Sequence, residues 1–330
     1  MPHFSRLSRR QCLGWLAAAA APAALNAHAQ GTSGKPIRLI VSYPPGGVAD
    51  ATARLLADKL SPMLGATVVV ENKGGASGAI GMDAVAKAAP DGLTFGFSAI
   101  SPLVLMPHLG GKPMFDPVKD IVPVASVMAS PVLLLGTPAL KARDFKSLLA
   151  QAKAQPGAVR WATAGAASLG HIVLEMVKTG AGVDITHIPY KGGAQQVTDA
   201  LTGQYEVLSS NPGAAIMAHI QAGKLQPLAA GAPARLPRLP ELPTLAELGL
   251  PGANLASVFG VFAPGGTPPA VVERMNAALN TLLKDPAVRA KIEAADNQPT
   301  GGSAADFAKF IAAESASNAR IIRAAGITAG

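Results

Sequence analysis

Ser168 is the residue whose type and setting come nearest to covalent chemistry. It stands in Ala166-Ala167-Ser168-Leu169-Gly170, one glycine short of a nucleophile elbow, between a predicted strand and a predicted helix. A hydrolase built on it would need an acid and a histidine later in the chain. His187 and His219 follow, but neither has a convincing acidic partner in context, so a serine hydrolase using Ser168 is a remote alternative. Of the six histidines, His108, His171, His187 and His219 lie beyond residue 29, and they lack the close spacing of a metal site. There is no Walker loop and no dinucleotide glycine fingerprint. No metal and no cofactor is expected.

A serine at a helix start can instead help to hold an anion. The first backbone N–H groups of a helix lack intrahelical partners, and the helix dipole favours negative charge there. Three turns of this kind each follow a strand and open a helix: Pro44 to Gly47, Gly74 to Gly78, and Thr163 to Ser168. In the first, the prolines stop the strand and the glycines let backbone and ligand approach closely. A structural turn explains any one of them about as well; three converging on one cleft would clamp a carboxylate. The candidate ligand contacts are therefore Tyr43, Pro45, Gly46 and Gly47, then Ala76 and Ser77, then Thr163, Gly165, Ala166, Ala167 and Ser168. Ser98 and Ser101 after the third strand, and Ser210, are further candidates. His171, one turn after Ser168, either faces the cleft or packs below it. Asp50 sits in a first helical turn with Arg54 four residues on, which favours a structural or lobe-bracing role. An ionised Asp50 would repel a carboxylate unless water intervenes. Lys191 reads as a loop or rim cation and Asp199 as structural.

The elements that must place these residues alternate between short β-branched runs and longer amphipathic ones, the pattern of an α/β fold. Strands are expected at Ile37–Ser42, Thr67–Val70 and Leu93–Ser98, with helices between them. A second series starts near Pro131, with strands at 132–135, 159–164, 185–188, 205–209 and 225–230. The proline-rich stretch 233–251 reads as a surface connection. A strand at 258–263 and helices at 269–283, 286–295 and 303–325 follow. Two series and a return segment imply two lobes: residues 35–128 with 255–330, and residues 129–254. The C-terminal helix is free to pack across both. The ligand is expected where strand ends of the two lobes meet.

The chain has 330 residues, 49% of them apolar and 15% charged, enough for two lobes and well packed rather than disordered. After the N-terminus no apolar run approaches the roughly 18 to 20 residues that cross a bilayer. Arg6, Arg9 and Arg10 precede the apolar run Cys12–Leu25, and Ala27-His28-Ala29 fits a small-x-small cleavage site. Residues 1–29 are thus expected to be a cleaved signal peptide that sends the protein to the periplasm, in preference to an uncleaved anchor. Ser8 to Leu13 approaches the twin-arginine pattern, so the twin-arginine and general secretory routes both stay open. Cleavage would remove the only cysteine, Cys12, and take the formal charge from +8 to +5, since the three arginines are its only charges. The remaining basic residues are scattered singly, which argues against nucleic acid as a partner.

Ile37 to Gly47, with Asp50 and Ala53-Arg54, resembles the opening of the Bug family, the receptors associated with tripartite tricarboxylate transporters. The match continues through Val69 to Lys73, Ala89 to Gly92, Phe115-Asp116-Pro117 and His187 to Gly192. Ala222 to Leu225, Leu242-Pro243-Thr244 and Ala263 to Pro268 complete it. The resemblance implies a two-lobed periplasmic binding protein fold (type II-like) with two crossover segments, and a small carboxylate ligand. It also implies membrane subunits of such a transporter as partners; a sensor kinase of a two-component system is the alternative, and a monomer is expected. Departures fall at Ser209, Ser210 and Val258, where relatives commonly carry an aromatic, an aspartate or comparable polar residue, and a tryptophan. They put the identity of the ligand in doubt and leave the fold untouched.

Overall fold

The computed structural model describes residues 34–110, 113–191 and 193–327; the expected signal peptide and Cys12 lie outside them. Ile37-Arg38-Leu39-Ile40-Val41 forms β1 (Ile37–Val41), paired in parallel with β2 (Val68–Asn72) on one side and β3 (Thr94–Ala99) on the other. Between them run α1 (Val48–Leu64) and α2 (Ala79–Ala86). Ala53, Leu56 and Leu60 recur at helical spacing and bury one face of α1 against Leu39, Phe95 and Phe97. Gly81 lets α2 lie directly on β1, since a Cβ there would stand 2.6 Å from Ser42 Cα.

The sequence pattern placed a strand only at 132–135. The structure has one continuous strand, β4 (Ile121–Gly136), through Pro123 and Pro131. Prolines cannot donate to a ladder and so disguise a strand, but they are tolerated beside irregularities. The β4 pairing with β9 (Ala256–Pro264) does shift register between Pro123 and Ala125, and again between Ser126 and Met128. The stretch Ser101–His108, given no element from sequence, forms α3 (Ser101–Val104) and a single 3-10 turn.

β4 is the strand on which the architecture turns. Its first part, Ile121–Pro131, pairs with β9, which in turn pairs with β3. Its last part pairs with β7 (Val207–Ser210) on one edge and β8 (Gln226–Gly231) on the other. Beyond β7 lie β5 (Arg160–Thr163) and β6 (Thr186–Pro189), all parallel. A short β10 (Gln298–Pro299) adds to β4. The second set of strands carries α4 (Phe145–Ala154), α5 (Leu169–Ala181), α6 (Gly193–Leu201) and α7 (Ala214–Gln221). Its core centres on Trp161, Leu134, Val173 and Val207. The chain returns through β9 to α8 (Pro269–Lys284), α9 (Pro286–Glu293) and α10 (Ala304–Ala325).

A third apolar cluster joins Ile40 and Met82, from the first set, to Ala167 and Ile172 of the second through Phe307 and Ile322 of α10. Each Ile, Met or Phe side chain among them contributes about 1.5–3 kcal/mol on burial. From Pro36 onward the chain is accordingly one closely joined unit. Asn211 pins the place where both crossing strands pass. Its Nδ2 donates to the Pro131 carbonyl at 2.9 Å and to Ser257 Oγ at 3.0 Å.

Candidate functional site

A cavity of about 910 Å³ opens between the two sets of strands. On one side its wall is Tyr43, Pro44, Gly46, Gly47 and the outer face of α1 as far as Asp58, with Ser77 and Ser101. Facing them are Ser168 to Gly170, Gly193, Gln196, Ser209 to Asn211 and the start of α7; Ser257, Phe259, Lys291 and Asn297 close it. Among the described residues, Lys291 and Asp58 are the only charged members of the wall, and both are exposed. Four helices begin at this cavity: α1 behind Gly47, α5 behind Ser168, α6 at Gly193 and α7 behind Gly213. Their free N–H groups and positive dipole ends suit an anion that no buried cation neutralises.

The expected contacts divide. Tyr43, Gly46, Gly47, Ser77, Ser101, Ser168 and Ser210 lie in the wall; Pro45, Ala76, Ser98, Thr163, Gly165, Ala166, Ala167 and His171 do not. Most of the second group is spent on holding loops together. The Ser77 hydroxyl donates to the Ala166 carbonyl, so two of the three expected turns close on each other. Thr163 Oγ1 donates to the Gly165 carbonyl at 3.0 Å within its own turn. Ser98 is fully buried in β3. Sequence reasoning missed Gln196, Asn211, Ser257, Asn297 and the start of α7. Only the last had a local signal, Asn211-Pro212-Gly213, a turn dipeptide ahead of a helix.

Asp50 stands behind the wall. Its carboxylate accepts from Gly46 N at 3.0 Å, from Asn72 Nδ2 at 2.9 Å and from Arg54 Nε at 3.2 Å. Burial pushes its pKa up, but the Arg54 guanidinium and the Gly46 and Asn72 N–H groups outweigh burial and hold it below the usual carboxylate range. The ionised carboxylate therefore shapes the Pro44–Gly47 turn from the rear. Lys191 is exposed and outside the wall, and Asp199 accepts the Tyr190 hydroxyl at 2.7 Å.

His171 packs below the site, stacked on His187 with ring centroids 4.1 Å apart and planes 8° from parallel. Its Nδ1 accepts the Ala167 N–H at 3.3 Å. His187 Nε2 lies 2.7 Å from Thr163 Oγ1 and, with that hydroxyl committed to Gly165, is the donor. Both rings thus brace the turn that presents Ser168. Burial, with His171 and Lys178 adding to it, pushes His187 down to about 4; burial also lowers His171, against the pull of Glu175. The unfolded chain, with histidines near about 6.5, takes up protons that the folded pair refuses. The pair's share of stability is then complete above about 6.5 and is lost as the pH falls toward about 4. In melts from pH 7 to pH 4, His187→Gln, which keeps a donor for Thr163, is expected to lose less Tm than wild type. Equal slopes would dismiss the pair as the titrating element.

Among the described residues, no imidazole or carboxylate is hydrogen-bonded to the Ser168 hydroxyl. Ser168 Oγ caps α5 by accepting the His171 N–H at 3.3 Å, and the nearby imidazoles are engaged with backbone and Thr163. A cleft ringed by helix starts, set between two groups of strands joined by two crossings, defines a two-lobed receptor of the periplasmic binding protein type. Residues 52–327 match the family described as tripartite tricarboxylate transporter family receptor (TctC), and the chain belongs to that family. It is 36% identical to BugT of Bordetella pertussis over 297 residues, spanning 88% of this chain and 90% of BugT. The structure of R. palustris Rpa4515 with adipate is similar at a TM-score of 0.85 and 33% identity, covering 90% of this chain and 99% of that one. MatC (Rpa3494) from Rhodopseudomonas palustris with bound malate gives 0.82 and 26%, over 87% and 99%. Proteins of this family are periplasmic solute-binding receptors, so the chain is a receptor and not an enzyme. Among the described residues no helix is long and apolar enough to cross a membrane.

Proposed function

We propose that this protein captures a small carboxylate between its two lobes and delivers it to the membrane subunits of a tripartite tricarboxylate transporter. The observation that carries the reading is the convergence of four helix starts on one cavity without a buried charge. Family membership and the adipate and malate bound by two relatives support it. The lobes are residues 35–128 with 255–330, and residues 129–254; the change of β4 partners after Pro131 supports that division. Residues 1–29 act as a cleaved signal, supported by their charged, apolar, small-residue order.

Two measurements test this. Protein unfolded and refolded to free it of ligand is melted with adipate, malate and their diamides. At about 100 times its dissociation constant a bound acid adds roughly 2.7 kcal/mol, so a clear rise in Tm is expected with an acid and none with its diamide. No shift across a broad panel of carboxylates would sink the carboxylate reading. Intact mass of periplasmic extract should place the mature N-terminus close to Gln30; full-length cytoplasmic protein as the sole product would defeat the export reading.

A further inference from the structure

A turn from one half of the chain grips a helix end from the other, just outside the cavity wall. The turn is residues 236–239, closed by the Leu239 N–H on the Leu236 carbonyl at 3.0 Å, with Pro237 and Arg238 as its middle pair. Proline at the second position of a turn fixes its φ in advance. Leu236 and Leu242 are buried with Leu133, Leu208 and Tyr205, which roots the turn in the second set of strands. At its tip the Arg238 N–H donates to Asp296 Oδ1 at 3.3 Å, and the Arg238 guanidinium donates to the Ala294 carbonyl. Ala294 is the C-cap of α9, where carbonyls lack intrahelical partners and a cation is favoured.

Asp296 is an uncommon residue for its position. The end of α9 closes with the Asp296 N–H on the Glu293 carbonyl at 2.9 Å, and Asp296 itself is left-handed, with φ of +52°. Glycine or asparagine ordinarily ends a helix in this way. The carboxylate is also buried, with Oδ2 unpartnered; burial raises its pKa while Arg238 pulls it down. A buried carboxylate on a left-handed backbone is unfavourable on both counts. The hydrogen bond its side chain makes is the one to Arg238.

The gripped stretch is part of the cavity. Ile292, Ala295 and Asn297 line it, whereas Arg238 and Asp296 do not. The two places where the sets of strands meet beside the cavity also differ in kind. The Ser77–Ala166 contact is backed by Ala167 and Ile172, packed in one apolar cluster with Phe307 and Ile322. At the Arg238 contact, Ile292 and Leu236 belong to separate clusters, and Arg238 is exposed. Local opening is drawn from regions with few buried apolar contacts and exposed hydrogen bonds.

We propose that the 236–239 turn and the end of α9 form a clasp that fastens the two lobes over the cavity and releases to admit or free a ligand. Arg238 and Asp296 are on this account positioning residues, acting on affinity from outside the wall. The proposal rests on the two-lobe and carboxylate readings above and adds which side opens.

Calorimetric titration of the mature protein with malate and adipate tests it. A clasp made only in the closed form raises the closed fraction, and apparent affinity scales with that fraction. Arg238→Ala and Asp296→Gly are each expected to weaken binding about fivefold. Because they act through one contact, the double variant should lose less than the product of the two. Glycine suits a φ of +52°, so the ligand-free Tm of Asp296→Gly should not fall. Arg235→Ala, which breaks the neighbouring Arg235–Glu247 pair within the second lobe, should leave affinity unchanged. Wild-type affinity in both clasp variants, or an equal loss in Arg235→Ala, would overturn the proposal and leave the carboxylate reading standing. Hydrogen exchange of the ligand-free proteins decides the matter even if neither acid binds. Amides at 211–216 should exchange about fivefold faster in the clasp variants, while those at 166–169 keep wild-type rates. Unchanged rates at 211–216, or faster exchange confined to 166–169, would overturn the clasp.

Discussion

Ser168→Asp is expected to abolish carboxylate binding while leaving the protein folded. Ser168 caps α5 and lies in the cavity wall beside the first N–H groups of that helix. Aspartate is a good N-cap, so the helix start should survive and circular dichroism should match wild type. What changes is the charge. A fixed anion about 4 Å from a bound carboxylate costs about 4 kcal/mol at an effective dielectric near 20, or about a thousandfold in affinity. Ser168→Ala removes one neutral hydrogen bond, on the order of 1 kcal/mol and less than tenfold. The contrast between these two variants in calorimetric titration isolates the electrostatic part. Equal affinities in wild type and Ser168→Asp would take this turn out of the site.

Gly165→Ala should separate the two turns that meet across the cavity. Gly165 has φ of +134°, a conformation open to glycine and strained for other residues. A Cβ there would lie 2.6 Å from Ser77 Oγ and 3.1 Å from the Tyr190 carbonyl. Ser77 is itself left-handed, with φ of +52°, and donates to Ala166, so it has little room to retreat. Backbone strain of this kind costs about 1–3 kcal/mol. A lower Tm and a fall in carboxylate affinity of roughly ten- to hundredfold are expected. Ser77→Gly removes the nearer obstacle and favours that backbone, so the double variant should recover part of both losses, a coupling that unrelated sites would not show. A single variant indistinguishable from wild type would mean that the contact is not tight in solution.

What the sequence by itself determined is everything that local chemistry controls. The apolar run at 37–41 makes a buried strand, Ala53, Leu56 and Leu60 recur with the helical period, and prolines and glycines mark the turn at 44–47. Ser168 caps a helix because a serine ahead of an apolar run can satisfy an orphan N–H within three residues, whatever lies beyond. From those signals the α/β alternation and three candidate turns are legible. Asp50 and Arg54, one helical turn apart, could also be paired from spacing alone.

Only the tertiary structure decided the rest, and the reason is distance along the chain. β4 hides its length behind Pro123 and Pro131, since a proline-bearing strand is stabilised by its partner, β9, more than 100 residues away. His171, on α5, could face the cleft or pack below it on sequence grounds; His187, which stacks on it, comes from β6. Gln196 and Asn297 carry no motif at all, and the Asn211-Pro212-Gly213 turn does not show what the Asn211 side chain will touch. Each owes its place to a backbone carbonyl that folding brings within reach: Ser209 for Gln196, Pro131 for Asn211 and Pro212 for Asn297. Helix starts are local, so the sequence shows where an anion can be held; which starts share a cavity is set by contacts that exist only once the sheets have joined.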